Sequence, residues 1–302
     1  MAIFIDLLLN ALVVGILLGG FYAALSIGLS ITFGLLDVVN IAHPTILILG
    51  AFVAFILNSQ AGLDPILAGL IATPFFYAFG WVIYQLYYNS FEKSGETDSL
   101  RGLAFFFGLL FIIEVGLIVQ FGVDHRLVEA PYIGNSANIR LGEEINVAIP
   151  YRLLVAFVAA LIATFAIQIF LNRSFFGRAA RAVAQDMMAL RLMGVDPIKV
   201  KRIAFALGVA TAGVGGALMI IVLPIEPSVG RLYIGNVFAI VVLGGLGSMK
   251  GTLYAAIIIG IAESIVATFF GPSWAPAVSF GILLIVLAVK PEGLFGKTAG
   301  AH

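Results

Sequence analysis

The run "LLLNALVVGILLGGFYAALSIGLSITFGLL", Leu7 to Leu36, carries no charged side chain. As one straight helix at 1.5 Å per residue it would be about 45 Å long, more than the roughly 30 Å hydrocarbon core of a bilayer needs. It must therefore tilt, break near Gly19 and Gly20, or project from the membrane. Such a run takes lipid as its solvent, and the rest of the chain agrees. Over 302 residues the sequence is 62% hydrophobic and 11% charged, with a mean hydropathy of +1.13. Its 25 Phe and 34 Gly suit lipid-facing surfaces and closely approached helices. Further runs with little or no charge lie near 42–58, 64–88, 102–122, 152–171, 203–223, 252–270 and 275–290. With 8–35 they predict one transmembrane domain over 1–302, an all-α polytopic membrane protein of about eight transmembrane helices with broken or re-entrant segments. "NVFAIVVLGGLG", Asn236 to Gly247, is too short to span and is interrupted by glycine. It reads as a half-helix or re-entrant piece covered by protein.

Several function classes drop out. With no cysteine there are no disulfides, thiolate metal sites or cysteine nucleophiles. A formal net charge of zero gives no surplus for nucleic acid. The three histidines, His43, His125 and His302, show neither paired metal spacing nor a Ser-His-acid arrangement. No catalytic residue, metal ligand or bound cofactor is expected, and the chain does not read as an enzyme. "MAIFIDLLLN" holds Asp6 and no Lys or Arg, unlike the basic start of a cleavable signal, and the first Lys is Lys93.

Charge matters here by location. Segment 172–202 holds Arg173, Arg178, Arg181, Arg191, Lys199, Lys201 and Arg202 against Asp186 and Asp196, which assigns it to the cytoplasm. By alternation the turn-rich segment 123–151, where Asp124, Glu129, Glu143 and Glu144 offset the arginines, is an external loop. The N-terminus then lies outside and "KPEGLFGKTAGAH" inside. Within the basic segment Arg178, Arg181 and Gln185 recur at helical spacing while Ala179, Ala182, Val183 and Leu190 take other faces, the pattern of a short amphipathic helix. Gly194 fits a C-cap, and Asp196-Pro197 fits the start of a second short helix. Such a segment can anchor on anionic lipid or dock a cytosolic partner.

Polar groups inside apolar sequence are the other signal. Asn40, His43, Pro44 and Thr45 fall where the first span gives way to the next, and Pro44 must start or break a helix. Polar groups beside a broken helix suit a transport pathway, or His43 holds the break together. Glu114 and Glu263 sit within apolar runs. An acidic group at a span centre costs about 2.5 to 3.5 kcal/mol on insertion scales, so neither should face lipid. Glu263 there needs backbone or hydroxyl donors to satisfy it. Glu114, with no Lys or Arg in its own span, reads as a protein-facing neutral carboxyl. "VLGGLGSMKG", with Gly244, Gly245, Gly247 and Gly251, lacks the preceding strand of a phosphate cradle and reads as a close approach and a sharp reversal.

Four stretches in order carry a family resemblance: "ALSIGLSITFGLLDVVNIAHPTILILGAF", "FGRAARAVAQDMMALRLMGVDPIKVKRIAFALG", "VLGGLGSMKGTLYAAIIIGIAES" and "KPEGLFG". The chain resembles the H-type permeases of branched-chain amino acid ABC transporters. That resemblance implies a permease forming the translocation pathway of an ATP-binding-cassette importer in a bacterial or archaeal inner membrane. It implies as partners a second permease, M-type or a second copy, two cytosolic ATPase subunits that bind ATP and Mg, and an external substrate-binding protein. The chain itself has no "GxxxxGK[ST]" phosphate loop. In this frame Arg178, Arg181, Gln185, Asp186 and Gly194 belong to an ATPase-coupling segment, and Asn40, His43, Pro44, Thr45 and Glu114 to the translocation pathway. Glu263, Gly244, Gly245 and Gly247 become structural groups in the membrane. The resembled permeases carry Gly at the Pro44 position, Gln at the Glu114 position and Pro at the Lys250 position. Two alternatives remain: a permease for urea, amides or another small organic solute, and a self-sufficient secondary transporter using Glu114 and Glu263 as proton or cation sites.

Overall fold

In the computed structural model the opening run is one unbroken helix, α1 (Ala2–Leu36), about 52 Å long at the standard rise. Gly19 and Gly20 do not break it. They are points of close approach instead, Gly19 to the backbone of Ile257 and Gly20 to the Phe157 ring. The surplus length projects: the Asn146 amide donates to Asp6 Oδ1 at 2.8 Å and the Ala148 amide to Asn10 Oδ1 at 2.9 Å, so the first turns of α1 rise to meet the segment expected outside. The structure describes residues 2–36, 39–93, 99–141, 145–290 and 293–296. Glu143, Glu144, Pro291, Glu292 and 297–302, parts of the expected external loop and inner tail, lie outside the described residues.

The chain continues through α2 (His43–Ala61), α3 (Pro65–Tyr87), α4 (Ser99–Phe121), an antiparallel hairpin of β1 (Ser136–Leu141) and β2 (Ile145–Pro150), and α5 (Tyr151–Arg173). Then come α6 (Phe175–Gln185), α7 (Met187–Leu192), α8 (Pro197–Val222), α9 (Gly230–Gly244), α10 (Met249–Phe270) and α11 (Ala275–Val289). Short polar residues set the boundaries by accepting from free amides of the first turn: Asp64 for α3, Ser174 for α6, Asp186 for α7, Asp196 for α8 and Ser248 for α10. Among the described residues nine helices are long and apolar enough to cross a membrane. That is one more than the sequence suggests, and the addition contains α9.

The second short helix expected at Asp196-Pro197 is instead the first turn of the membrane helix α8. The two short helices of the basic segment are α6 and α7, and Gly194 closes the latter in the left-handed conformation, at φ +80°. The hairpin and the basic segment sit at opposite ends of α1: Asp6 and Asn10 meet β2, whereas Ser30 and Gly34 share a crevice with Gly177 and Arg181.

Most of α8 is buried, and α1, α2 and α3 pack around it. Lipid tails are as apolar as leucine, so no hydrophobic force draws these helices together, and close packing must do it. Gly216 of α8 faces the Leu47 carbonyl and Ala51 amide of α2 so closely that any side chain there would strike backbone.

Candidate functional site

After α1 the chain turns back into the bundle. His43 Nε2 lies 3.1 Å from the Leu25 carbonyl oxygen, and about 16 Å of α1 remains between Leu25 and its end at Leu36. Helix α2 thus begins within the membrane, as expected of the Asn40 to Thr45 break. A carbonyl only accepts, so His43 Nε2 donates, and Nδ1 of the neutral ring is left as an acceptor. Asn40, His43 and Thr45 are fully buried. The Asn40 amide, His43 Nδ1 and Thr45 Oγ1 have no hydrogen-bond partner among the described residues. Pro44 occupies the first turn of α2, where a missing amide hydrogen removes one of the unpaired donors of a helix start.

Helix α9 begins beside this point. A Cβ on Gly230 would lie 3.1 Å from Thr45 Cα and 3.3 Å from the Pro44 carbonyl oxygen. The apolar piece at 236–247 is therefore the later part of a helix that starts at Gly230 and runs about 22 Å to the basic end of the bundle. Its start is inside the bundle, while with Pro227–Val229 the run reaches the 18 residues of a candidate span, so it is longer than the short piece expected. The starts of α2 and α9 meet there, each adding the partial positive charge of free backbone amides.

Glu114 lies on α4, 3% exposed, with Arg231 Nη2 2.5 Å from its Oε1. It faces protein, and a cation from the first turn of α9 stands against it, a partner that the expectation of a neutral carboxyl does not include. The Arg231 side chain is 51% exposed, and Glu114 Oε2 has no partner among the described residues. Sequence reasoning misses Arg231 because it weighs counter-charges within one span. The available signal is the setting of Arg231 itself, a lone cation at the head of an apolar run.

Glu263 is a separate, satisfied site. Tyr22 Oη donates to Oε2 at 2.7 Å, Asn236 Nδ2 to Oε1 at 3.1 Å, and Ser279 Oγ also donates to Oε1. The hydroxyl donors expected of a structural carboxyl are there, and the network ties α10 to α1, α9 and α11. Past α9, Gly245 and Gly247 take φ of +87° and +77°, the backbone of the expected reversal. Any Cβ on Gly247 would lie 2.9 Å from the Gly34 carbonyl oxygen. Gly244 backs directly onto Gly251, the expected close approach.

At the basic end, Ala179, Ala180 and Val183 bury one face of α6. Arg178 is exposed, its guanidinium carbon 5.9 Å from the Phe175 ring centroid. Arg181 is exposed as well, and it donates to the Leu171 carbonyl at 2.9 Å, as Arg178 does to the Arg173 carbonyl at 3.4 Å, so both also meet the end of α5. Together with Gln185, Arg181 lines a crevice of about 460 Å³ that also includes Ser30, Gln168 and Lys250. Asp186 Oδ1 accepts from the Met188 and Ala189 amides at 2.8 and 3.0 Å; its role is to cap α7. What composition hides is that Met187, Met188, Leu192 and Met193 are exposed around α7, the last two at 83% and 78%. Just beyond, Lys201 Nζ lies 2.5 Å from Glu92 Oε1, and Tyr84 Oη donates to Oε2 at 2.8 Å. These contacts fasten the start of α8 to the end of α3.

Residues 11–287 match the family described as branched-chain amino acid transport system, permease component. The chain is 30% identical to the high-affinity branched-chain amino acid transport system permease protein BraD of Pseudomonas aeruginosa, over 96% of each chain. It is 29% identical to the corresponding permease protein LivH of Escherichia coli, over 94% of each. It is also 25% identical to the permease protein LivM of Escherichia coli, over 92% of this chain and 68% of that one. No solved structure matches the chain.

Proposed function

Because this multi-pass membrane chain belongs to the permease components of branched-chain amino acid transport systems, we propose that it lines the path by which an ATP-driven importer moves branched-chain amino acids across a bacterial inner membrane. The observation that carries the reading is the junction of α2 and α9. Unpartnered polar groups of Asn40, His43 and Thr45 are gathered there at two helix starts, deep in an otherwise apolar bundle. Irregular backbone at that depth is tolerated where protein or a cavity covers it, and transporters use such helix starts to hold anionic groups.

The same reading supplies the partners. A second permease, of the M-type or another copy, completes the path, and the similarity to both LivH and LivM supports a related pair. Two cytosolic ATPase subunits bind ATP and Mg and dock on α6 and α7, where exposed Met187, Met188, Leu192 and Met193 stand beside Arg178 and Arg191. An external binding protein delivers the substrate. Closure of the ATPases would move α7, and through Asp196 and the Lys201–Glu92 pair shift α8 and α3 against the junction.

Co-expression with the partner permease and ATPases, reconstitution into liposomes and addition of leucine-loaded binding protein tests this. ATP-dependent leucine accumulation is the expected result. Accumulation without ATP would favour a secondary carrier, and uptake of urea but not leucine would reassign the substrate. A bulky replacement, Thr45→Trp, should block uptake while the complex still assembles.

A further inference from the structure

Arg231 stands in the first turn of α9, at the level where α2 begins, and Glu114 holds one side of its guanidinium. Half of the Arg231 side chain is nonetheless uncovered. Within a span a guanidinium persists only against protein, water or a counter-charge, so that uncovered side faces an aqueous path or a neighbouring subunit and not acyl chains. Its partner is buried and has one oxygen, Oε2, with no donor among the described residues. The pair is thus asymmetric: a cation open to its surroundings, fixed by an anion with spare accepting capacity.

We propose that Arg231 and Glu114 form a transit site for the zwitterionic head of an α-amino acid, the carboxylate going to the Arg231 guanidinium and the ammonium to the Glu114 carboxylate. The argument is charge balance. Separating the pair in a medium of low dielectric is costly unless each member regains an opposite charge. A zwitterion supplies both at once and leaves the site neutral. An anion or a cation alone leaves one member unanswered, and urea or an amide answers neither. The planar guanidinium fork suits a carboxylate, and the helix starts of α2 and α9 add positive potential beside it. The proposal deepens the transport reading above and rests on it.

Three measurements on the assembled complex test it, the first two after reconstitution. Wild-type leucine uptake comes first, since its absence would remove the transport reading itself. Given uptake, the neutral pair Glu114→Gln with Arg231→Gln keeps a hydrogen bond and should still co-purify with the ATPases. Its uptake should fall about tenfold to a hundredfold, the loss expected when a charge-assisted bond is replaced by a neutral one. The charge swap, Glu114→Arg with Arg231→Glu, preserves the salt bridge but moves the cation from α9 to α4. A merely structural pair would recover both assembly and uptake in the swap, whereas a carboxylate site recovers assembly alone. Wild-type uptake in either double variant overturns the proposal. The third measurement needs no variant: binding of labelled leucine to the wild-type solubilised complex, without binding protein, followed by NMR saturation transfer. Unlabelled leucine should compete, and leucinamide and 4-methyl-2-oxopentanoate, which each lack one of the two charges, should not. Equal competition by all three, or no binding, also overturns it.

Discussion

A carboxylate inside a membrane helix has to be answered by donors or by a cation, and Glu263 and Glu114 show one solution each. Glu263 is answered by Tyr22, Asn236 and Ser279. Glu263→Gln keeps an acceptor for Asn236 and Ser279 and turns a donor toward the Tyr22 hydroxyl, which can accept instead, so it should cost little. Glu263→Leu strands all three, at about 1 to 3 kcal/mol for each buried group left unpaired, and should visibly lower the unfolding midpoint of the purified chain, followed by the fluorescence of Trp81 and Trp274. A Leu variant as stable as wild type would mean the network carries no load. Glu114 is answered by Arg231, so Glu114→Leu leaves a guanidinium without its counter-charge and should reduce the yield of assembled complex more than Glu114→Gln does. That both carboxylates avoid lipid is readable in the sequence, because the cost depends only on residue type and the run around it. Their partners are not readable. Arg231 lies 117 positions from Glu114, and Tyr22 lies 241 from Glu263, so only packing could bring either pair together.

Element boundaries are legible wherever a side chain sets them. Asp196 with Pro197, and Gly194 before them, mark a helix stop and start that the structure keeps, because capping is decided by the residue itself and its nearest amides. The length of the helix beyond Pro197 is not legible: the first turn of a polar helix reads the same whether it ends after two turns or runs on as α8. The start of α9 is different: Glu226, Pro227 and Ser228 mark a break before it, but nothing in that flank says that the helix begins against the start of α2, a contact that only packing makes. At the basic segment, helical spacing groups Arg178, Arg181 and Gln185 as one face, and all three are exposed; what spacing does not show is that Arg181 also reaches the Leu171 carbonyl at the end of α5. This separates two outcomes. Arg181→Glu should loosen the α5–α6 junction and lower thermal stability. Leu192→Asp with Met193→Asp changes two exposed side chains, so stability should stay within about 0.5 kcal/mol of wild type while co-purification of the ATPase subunits is lost. Retained co-purification in that double variant would remove α7 from the docking surface.

At the scale of the whole molecule, one pattern of sidedness has to satisfy every contact between ends. The hairpin meets the start of α1 through Asp6 and Asn10. Arg126 and Ile225 exchange backbone hydrogen bonds at 2.8 and 3.0 Å, so the chain after α4 and the chain after α8 share an end. At the other end α6 shares a crevice with Ser30 and Gly34, and the Leu294 amide donates to the Leu243 carbonyl at 2.8 Å, which brings the last described residues there too. Seven basic residues in 172–202 against two acidic ones predict that this end faces the cytoplasm, which would leave the N-terminus and the hairpin external. Because the chain contains no cysteine, each single-cysteine variant reports on one position alone. Ile139→Cys on β1 and Leu192→Cys on α7 are both exposed positions, so neither change should disturb packing. A membrane-impermeant maleimide added to spheroplasts should label Ile139→Cys at once and Leu192→Cys only after the membrane is permeabilised. The reverse order would invert the whole assignment, ATPase docking included, because a surface reached from outside cannot meet a cytosolic motor.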